Sequence, residues 1–313
     1  MSFDFDAAVS APFRMQPGLR RLAAGATQLT PLAPGSNHQR EKLAVLSAFW
    51  PQALVQREGF DALPALATLC QQAAAEHPRA WSWDGQRAHA LQLGTSADAQ
   101  GQVNQTAAGL FGLGDEIARC LAGLPPVWRL TGLLSLAFEE DFAVVDGSDS
   151  TIPWLAVALP SHWAPETKVG LHFAAVHAPV ADNSLLVKAS ESLTRMVCGP
   201  ERWERFVWNV TDQPRLHAHP ARTGAERWLH TPVAQAWWRT ERQTFIPVPA
   251  QTQAVFTIQV QVQRLADALT TAARARALHA AIESMSPAVL AYRSLHHVRE
   301  PLLAWLAERA ARG

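Results

Sequence analysis

The run from Ala254 to Gln263 constrains the fold of this chain more than any other feature. Ile258, Val260 and Val262 fall on one side of an extended chain, and three glutamines fall on the other. Successive side chains of a strand point to opposite faces, so this period of two predicts an antiparallel strand with one wet face. Such a strand requires antiparallel partners elsewhere in the sequence.

Other segments supply those partners and the helices that cover them. Strands are predicted at residues 142–145, 154–159, 203–210, 238–245 and 254–263, the first two as a hairpin. Helices are predicted at residues 40–56 (kinked at Pro51), 62–76 (capped by Asp61), 130–141, 184–197 and 265–282, with two short ones after Pro287 and Pro301. Polar loops are predicted at 95–102 and 215–231. No alternating βα pattern occurs, so we expect an α+β fold with about five central strands flanked by helices.

The length of 313 residues fits one large domain or two modest ones. We expect an N-terminal arm and helical region over residues 1–129, a core over 130–264 and C-terminal helices over 265–313. Lys and Arg number 27, as do Asp and Glu, so the charge balance indicates neither a nucleic acid nor a membrane partner. The sequence shows no long apolar run and no signal pattern, which predicts a soluble cytoplasmic protein.

Several common chemistries lack their sequence signatures. Cys70, Cys120 and Cys198 are far apart, so they are predicted to be buried free thiols and not ligands of zinc or an iron–sulfur cluster. The glycine-rich run 109–114 follows no strand, so we interpret it as a helix C-cap and turn rather than a dinucleotide site. Ser161 does not stand in a GxSxG turn, so the sequence does not indicate a serine-dependent acyl-transfer enzyme. The histidines near 217–219 are predicted to be exposed loop residues.

Residues 159–180 hold the densest group of chemically useful side chains. An apolar run from Leu171 to Val176 leads to His177, and Pro179 follows. We interpret that run as buried and extended, which would hold the imidazole nearly rigid. Such a histidine suits a metal ligand, and it equally suits a capped residue of the core.

Ordered motifs extend this stretch into a family signature. Ser161-His162-Trp163, Glu166-Thr167-Lys168-Val169-Gly170 and Val176-His177-Ala178-Pro179-Val180 follow one another. Glu139-Glu140-Asp141 precedes them, and Arg205 with Trp208, the run 239–244, Phe256-Thr257-Ile258 and Tyr292-Arg293 follow. Across residues 130–306, with a weaker part near 12–22, the set resembles the haem-dependent oxidative N-demethylase α-subunit family, the dimethylamine monooxygenase-like proteins. The resemblance implies a PAS-like haem-binding sheet and haem b.

The resemblance also implies roles for named residues around the haem. His177 is the axial candidate because it stands in the family's HxPV motif, and His172 is the rival, on the opposite face if the segment is a strand. Lys168, Arg205, Arg239 and Arg242 are the candidate cations for the propionates or the oxygen side. Trp163 and Trp208 are candidate pocket walls or core residues, which the sequence does not separate.

Arg239 and Glu241 fall on the same face of their predicted strand. By spacing alone they indicate a surface ion pair; the resemblance implies instead that they orient an amine and accept its proton. Tyr292 is a further catalytic candidate.

The expected function is an oxygenase subunit that uses O2 to demethylate a small alkylamine, dimethylamine or a relative, and releases formaldehyde. The alternatives are a non-catalytic haem-binding PAS-like sensor or assembly subunit, and a cofactor-free interaction domain. No flavin or nicotinamide motif occurs, so the electrons are expected from separate reductase subunits carrying flavin and iron–sulfur centres, possibly beside a folate-binding subunit. Val207 stands where the family has Asn, and the run 246–249 also departs from the family pattern, which leaves the substrate open.

Overall fold

The computed structural model describes residues 3–224 and 226–311. The strands are β1 (Arg20–Arg21), β2 (Leu54–Gln56), β3 (Trp81–Trp83), β4 (Arg87–Ala90), β5 (Thr95–Asp98), β6 (Val103–Gln105), β7 (Glu140–Asp146), β8 (Thr151–Ala156), β9 (Trp203–Thr211), β10 (Trp237–Val248) and β11 (Gln253–Arg264). The helices are α1 (Phe5–Ala8), α2 (Asn37–Ala53), α3 (Leu63–Glu76), α4 (Glu116–Ala122), α5 (Pro126–Ala137), α6 (Phe173–His177), α7 (Ser184–Lys188), α8 (Ser190–Val197), α9 (Leu265–Ala268), α10 (Ala272–Glu283), α11 (Pro287–Tyr292) and α12 (Arg299–Ala311). The predicted α+β class is confirmed.

A seven-stranded antiparallel sheet organises the described part of the chain. Its order is β1-β9-β10-β11-β7-β8-β2, and a separate four-stranded sheet runs β3-β4-β5-β6. The longest pairing joins β10 to β11, from Trp237 opposite Arg264 to Val248 opposite Gln253. Both strands are rich in β-branched and aromatic residues, which favour a pleated, half-buried surface. The larger sheet therefore has two more strands than the five or so expected.

The register of β9 against β10 determines which side chains share a face. Arg205 lies opposite Gln243, Val207 opposite Glu241, and Asn209 opposite Arg239. Directly opposed residues of an antiparallel pair project from the same side of the sheet. We call the side of the sheet that carries these six side chains the site face.

Two apolar clusters pack the helices against the sheet. One apolar cluster joins α2, α3 and α5 to the strands, with Leu46, Leu69 and Leu133 among its fully buried members. A second cluster joins α10, α11 and α12 to Trp208 and Trp238. None of the helices among the described residues is long and apolar enough to cross a membrane.

Several predicted elements have other bounds or another conformation. Residues 95–98 form the buried strand β5 rather than a polar loop, because Thr95 and its neighbours pair with β4 and β6. The helix predicted at 130–141 ends at Ala137, and Glu140 already belongs to β7. The glycine run 109–114 precedes α4 and caps no helix. A Cβ at Gly109 would collide with the Glu116 carboxylate, whose Oε1 accepts a hydrogen bond from Phe111 N at 2.6 Å.

Two segments that were each predicted as one long helix form two shorter helices. The segment 184–197 divides at Ala189, and the segment 265–282 divides between α9 and α10.

Asp61 accepts a hydrogen bond from Leu63 N at 2.9 Å but does not occupy the N-cap of α3. The prediction of a solvent-exposed face on β11 is wrong at Gln259, because this side chain is buried and donates to Thr30 Oγ1 and Glu139 Oε2. Cys70, Cys120 and Cys198 are buried and free, as predicted.

Candidate functional site

Arg239 fastens two loops onto the site face. Its guanidinium donates to the carbonyl oxygens of Leu159, Pro160, Arg215 and Leu216 at 2.8–3.1 Å and to Ser161 Oγ at 2.7 Å. The side chain is buried, and burial lowers its pKa to about 10 although Glu241 opposes that shift. Because its nitrogens are engaged in this way, Arg239 holds the backbone at the start of the 159–180 stretch.

Glu241 is held by hydrogen bonds at both carboxylate oxygens. Ser161 Oγ donates to Oε1 through a short contact, and Gln243 Nε2 donates to Oε2 at 2.6 Å. Ser161 Oγ also accepts from Arg239, so the four side chains form one continuous network. Glu241 is only 9% exposed and Arg239 only 2%, so the alternative of a surface ion pair is wrong.

The segment before His177 is the short helix α6 and not a strand. None of its five residues is buried, so the expectation of a buried, extended run is also wrong. His172 is the N-cap, and its ring Nδ1 accepts a hydrogen bond from Ala174 N at 3.2 Å. A helix places the two histidines at its two ends, so the strand argument about opposite faces does not apply.

The two histidines differ in the tautomer that their contacts require. His177 Nδ1 lies 2.8 Å from the carbonyl oxygen of Phe173, which can only accept, so Nδ1 carries the proton and Nε2 keeps its lone pair. His172 Nδ1 accepts instead, so in its neutral form Nε2 is protonated. Burial lowers the pKa of His177, which favours the neutral imidazole that a metal needs.

Two cations stand close to His177. Arg205 and Lys168 each add to the lowering of its pKa, after the larger effect of burial. Arg205 Nε is buried and has no hydrogen-bond partner among the described residues. Burial lowers the pKa of Arg205, and the nearby Glu241 carboxylate opposes that shift. The site face therefore presents a guanidinium with unsatisfied hydrogen-bonding capacity.

An apolar surface adjoins these cations. Trp163, Val169, Val176 and Phe256 are partly buried and pack against a cluster formed by Ala143, Ile152, Leu155 and Val157. Val176 immediately precedes His177, so the apolar surface, the imidazole and the two cations belong to one region.

Comparison with known families identifies the family of the chain. A model of the haem-dependent oxidative N-demethylase, alpha subunit-like family matches residues 123–303, more than half of the chain. The chain belongs to this family. No curated protein matches it significantly.

The residues of this region fit the haem that the family name implies. Haem requires an axial ligand, an apolar slot for the ring and cations for its propionates. His177 Nε2, the surface around Trp163, and the Lys168 and Arg205 side chains have those chemical properties. The unpartnered Nε of Arg205 is the donor that a propionate would satisfy.

Two residues predicted at the haem site lie on the opposite face of the sheet. Arg242 donates to Glu204 Oε2 at 3.1 Å and to Thr27 O at 3.0 Å. Trp208 is buried against Trp238, and its Nε1 donates to Ala8 O at 2.9 Å. The alternation of side chains along β9 and β10 places both away from Glu241, so Trp208 is a core residue and Arg242 a structural partner of Glu204.

Tyr292 lies at the end of α11 and is 49% exposed. Burial of part of the side chain raises the pKa of its phenol, and the Glu241 carboxylate contributes to that rise. The structure thus places this C-terminal tyrosine near the site face, although it follows Glu241 by about fifty residues in sequence.

The loop histidines are hydrogen-bonded to protein side chains. His219 is only 3% exposed, which corrects its prediction as an exposed residue, and its Nε2 lies 3.1 Å from Glu166 Oε1. His217 Nε2 accepts from Arg222. Within residues 3–224 and 226–311, no group of three or more His, Cys, Asp or Glu is arranged to hold a metal ion.

The sequence analysis missed four polar side chains of this region. Gln243 and Asn209 could have been found from the period of two, since each shares its strand face with a predicted residue. The role of Ser161 and the position of His162 could not, because both depend on which loop covers the sheet.

Proposed function

We propose that this protein is a haem-dependent oxygenase subunit that removes an N-methyl group from a small alkylamine with O2 and releases formaldehyde. Dimethylamine or a related amine is the proposed substrate class, and haem b is the proposed cofactor. The five strands β8-β7-β11-β10-β9 carry α6 to α8 as an insertion between β8 and β9, an arrangement that supports a PAS-like core.

One observation carries this proposal: the hydrogen bond from His177 Nδ1 to Phe173 O. Metal-ligating histidines almost always donate their other ring nitrogen to a carbonyl or carboxylate, which sets the tautomer and the ring orientation. His177 has that arrangement and His172 has the reverse one. We therefore propose that His177 Nε2 would bind the haem iron and that Lys168 and Arg205 would pair with the propionates.

Bound haem would supply the iron-centred redox chemistry that activates dioxygen. The chain's own residues would bind and orient the amine. The Glu241 carboxylate offers an anionic partner to an ammonium group, and its two hydrogen bonds hold it in one orientation. In a site shielded from water such a partner both stabilises the cation and can take up its proton. Tyr292, whose pKa is raised in part by the Glu241 carboxylate, is a second candidate for proton transfer.

The electrons for this reaction are proposed to come from other proteins. The three cysteines of the chain are buried and unpaired, and three thiols do not supply the four thiolate ligands of an iron–sulfur cluster. Separate flavin and iron–sulfur reductase subunits are therefore proposed as partners, in a cytoplasmic setting.

The assignment is tested by exchanging each histidine and measuring haem per chain. His177→Ala should lose most of the haem, because the axial ligand is gone. His172→Asn should retain it, since asparagine is also a good N-cap and can replace the contact to Ala174 N. Full haem loading of the His177 variant, or loss of haem from the His172 variant only, would overturn the assignment. Formaldehyde release from a series of N-methylamines, with a reductase added, then tests the activity itself and separates an oxygenase from a haem-binding sensor.

A further inference from the structure

Two buried polar atoms beside the Glu241 network have no hydrogen-bond partner among the described residues. They are His162 Nε2 and Asn209 Oδ1. Buried polar atoms are nearly always paired in native proteins, because an unpaired one loses its hydration without compensation. Both atoms are therefore available to a group supplied from outside the chain.

His162 is held rigidly and presents a donor. Its backbone adopts φ 63°, and its N donates to Ala218 O at 2.9 Å. Its Nδ1 lies 3.3 Å from Arg227 Nη1, which can only donate, so Nδ1 accepts and Nε2 carries the proton. Burial and then the charges of Arg227 and Arg239 lower the pKa of His162 to about 3, so the ring is neutral.

Asn209 presents an acceptor on the site face. It lies directly opposite Arg239 on β10, and Glu241 is two residues farther along that strand on the same face. Thr211, the next residue of β9 on this face, accepts from Arg227 Nη2 at 2.9 Å through its hydroxyl. The same guanidinium contacts His162, so Arg227 brings the imidazole over the end of β9 that carries Asn209.

The charged groups around these two atoms are already paired. Arg227 Nε donates to Asp212 Oδ1 at 2.6 Å, and Arg239 is engaged by Ser161 and four carbonyl oxygens. A ligand group at this position would therefore meet one neutral donor and one neutral acceptor. A carboxylate would find no free cation there, and a second ammonium would find no free anion.

We propose that His162 and Asn209 form a neutral subsite for a hydroxyl group, so that the preferred substrate is an N-methylated amino alcohol rather than a simple alkylamine. The hydroxyl oxygen accepts from His162 Nε2, and its proton is donated to Asn209 Oδ1. The amine nitrogen of the same molecule then lies toward Glu241. This inference rests on the proposed function for the amine site, and it adds the second recognition point.

The test compares two ligands of equal size, 2-(methylamino)ethanol and N-methylpropylamine, by isothermal titration calorimetry on the full chain as purified. The wild-type protein should bind the hydroxyl compound about tenfold more tightly or better, because the two polar atoms stay unpaired with the propyl group. Asn209→Leu and His162→Asn should each remove most of that preference. Asparagine suits position 162 because it tolerates a positive φ. Asn104→Leu, at an exposed residue of β6, is the matched control and should change nothing.

The outcomes separate the subsite from the proposed function. Equal affinities of the wild-type protein for the two ligands, or binding of neither, overturn the subsite. A preference for the hydroxyl compound that survives in both variants overturns the assignment to His162 and Asn209. A protein that carries no haem, yet shows the preference and loses it in the variants, supports the subsite and refutes the haem-dependent function.

Discussion

At the scale of single residues, the Glu241 carboxylate is held in one orientation by a hydrogen bond at each oxygen. Ser161 and Gln243 each donate to one of its oxygens, and Arg239 in turn supports Ser161. A carboxylate held in this way cannot rotate to follow a ligand. The arrangement suits a group that must meet an amine nitrogen in a single orientation.

Glu241→Gln is expected to reduce amine oxidation by about 100-fold while haem content stays within a few tens of per cent of the wild type. The amide carries no charge to attract an ammonium group, and its own NH2 opposes one of the two donors that now contact the carboxylate. Turnover per haem, measured with saturating reductase, checks this expectation.

Glu204→Gln is the matched control for that variant. Glu204 is also buried and contacts a strand arginine, Arg242, but it lies on the opposite face of the sheet. Its exchange should lower stability and leave turnover per haem unchanged within about twofold. Equal losses of turnover in the two variants would show that Glu241 has a structural role and not a catalytic one.

At the scale of elements, an ion pair fastens α2 to the sheet beside the site. Lys42 is fully buried and lies 3.3 Å from Asp141 Oδ1, and its ammonium also donates to Phe138 O and Glu140 O. Asp141 Oδ2 accepts from Leu159 N at 2.6 Å. One helix thereby holds the start of β7 and, through Asp141, the point where the chain leaves β8 for the site.

Lys42→Met is expected to lower the free energy of unfolding by about 3–5 kcal/mol, because it leaves the Asp141 carboxylate buried and unpaired. Adding Asp141→Asn should recover at least half of that loss, since the amide can still accept from Leu159 N and no charge remains. Urea unfolding of the two single variants and the double variant measures the coupling. A loss below about 1 kcal/mol in Lys42→Met would show that the pair does not hold these elements together.

At the scale of the whole molecule, Glu140 couples stability to pH. It is 1% exposed, and burial raises the pKa of its carboxyl from 4.5 to about 7. The folded chain thus keeps a proton that the unfolded chain releases between those values. The contribution to stability is fully present below pH 4.5 and is lost as the pH rises to about 7.

The free energy of unfolding should therefore fall by about 3 kcal/mol between pH 4.5 and 7 on account of this group. In Glu140→Gln that component should be absent, and the variant should be more stable than the wild type at pH 7.5. Denaturant titrations of both proteins at several pH values give the difference directly. Parallel pH profiles for the two proteins would contradict the assignment to Glu140.

Local sequence pattern determined much of the larger sheet. The strands predicted at 203–210, 238–245 and 254–263 correspond to β9, β10 and β11, because β-branched and aromatic residues run through all three segments. The strand period of two placed Arg239 and Glu241 together on one face and Arg242 on the other, as the register shows. The ordered motifs also identified the family.

Tertiary structure alone decided what those side chains contact. The run 171–177 is apolar enough for a strand, yet its pairing with β8 is limited to an isolated bridge between Thr151 and His172, and Phe173–His177 form α6. Arg239 is a loop anchor because residues 159–161 and 215–216 converge on it from distant parts of the chain. The tautomers of His172 and His177 follow from the helix that lies between them. A periodic pattern records which face of an element is buried, but the partner of each polar atom depends on segments far away in sequence, which no local pattern contains.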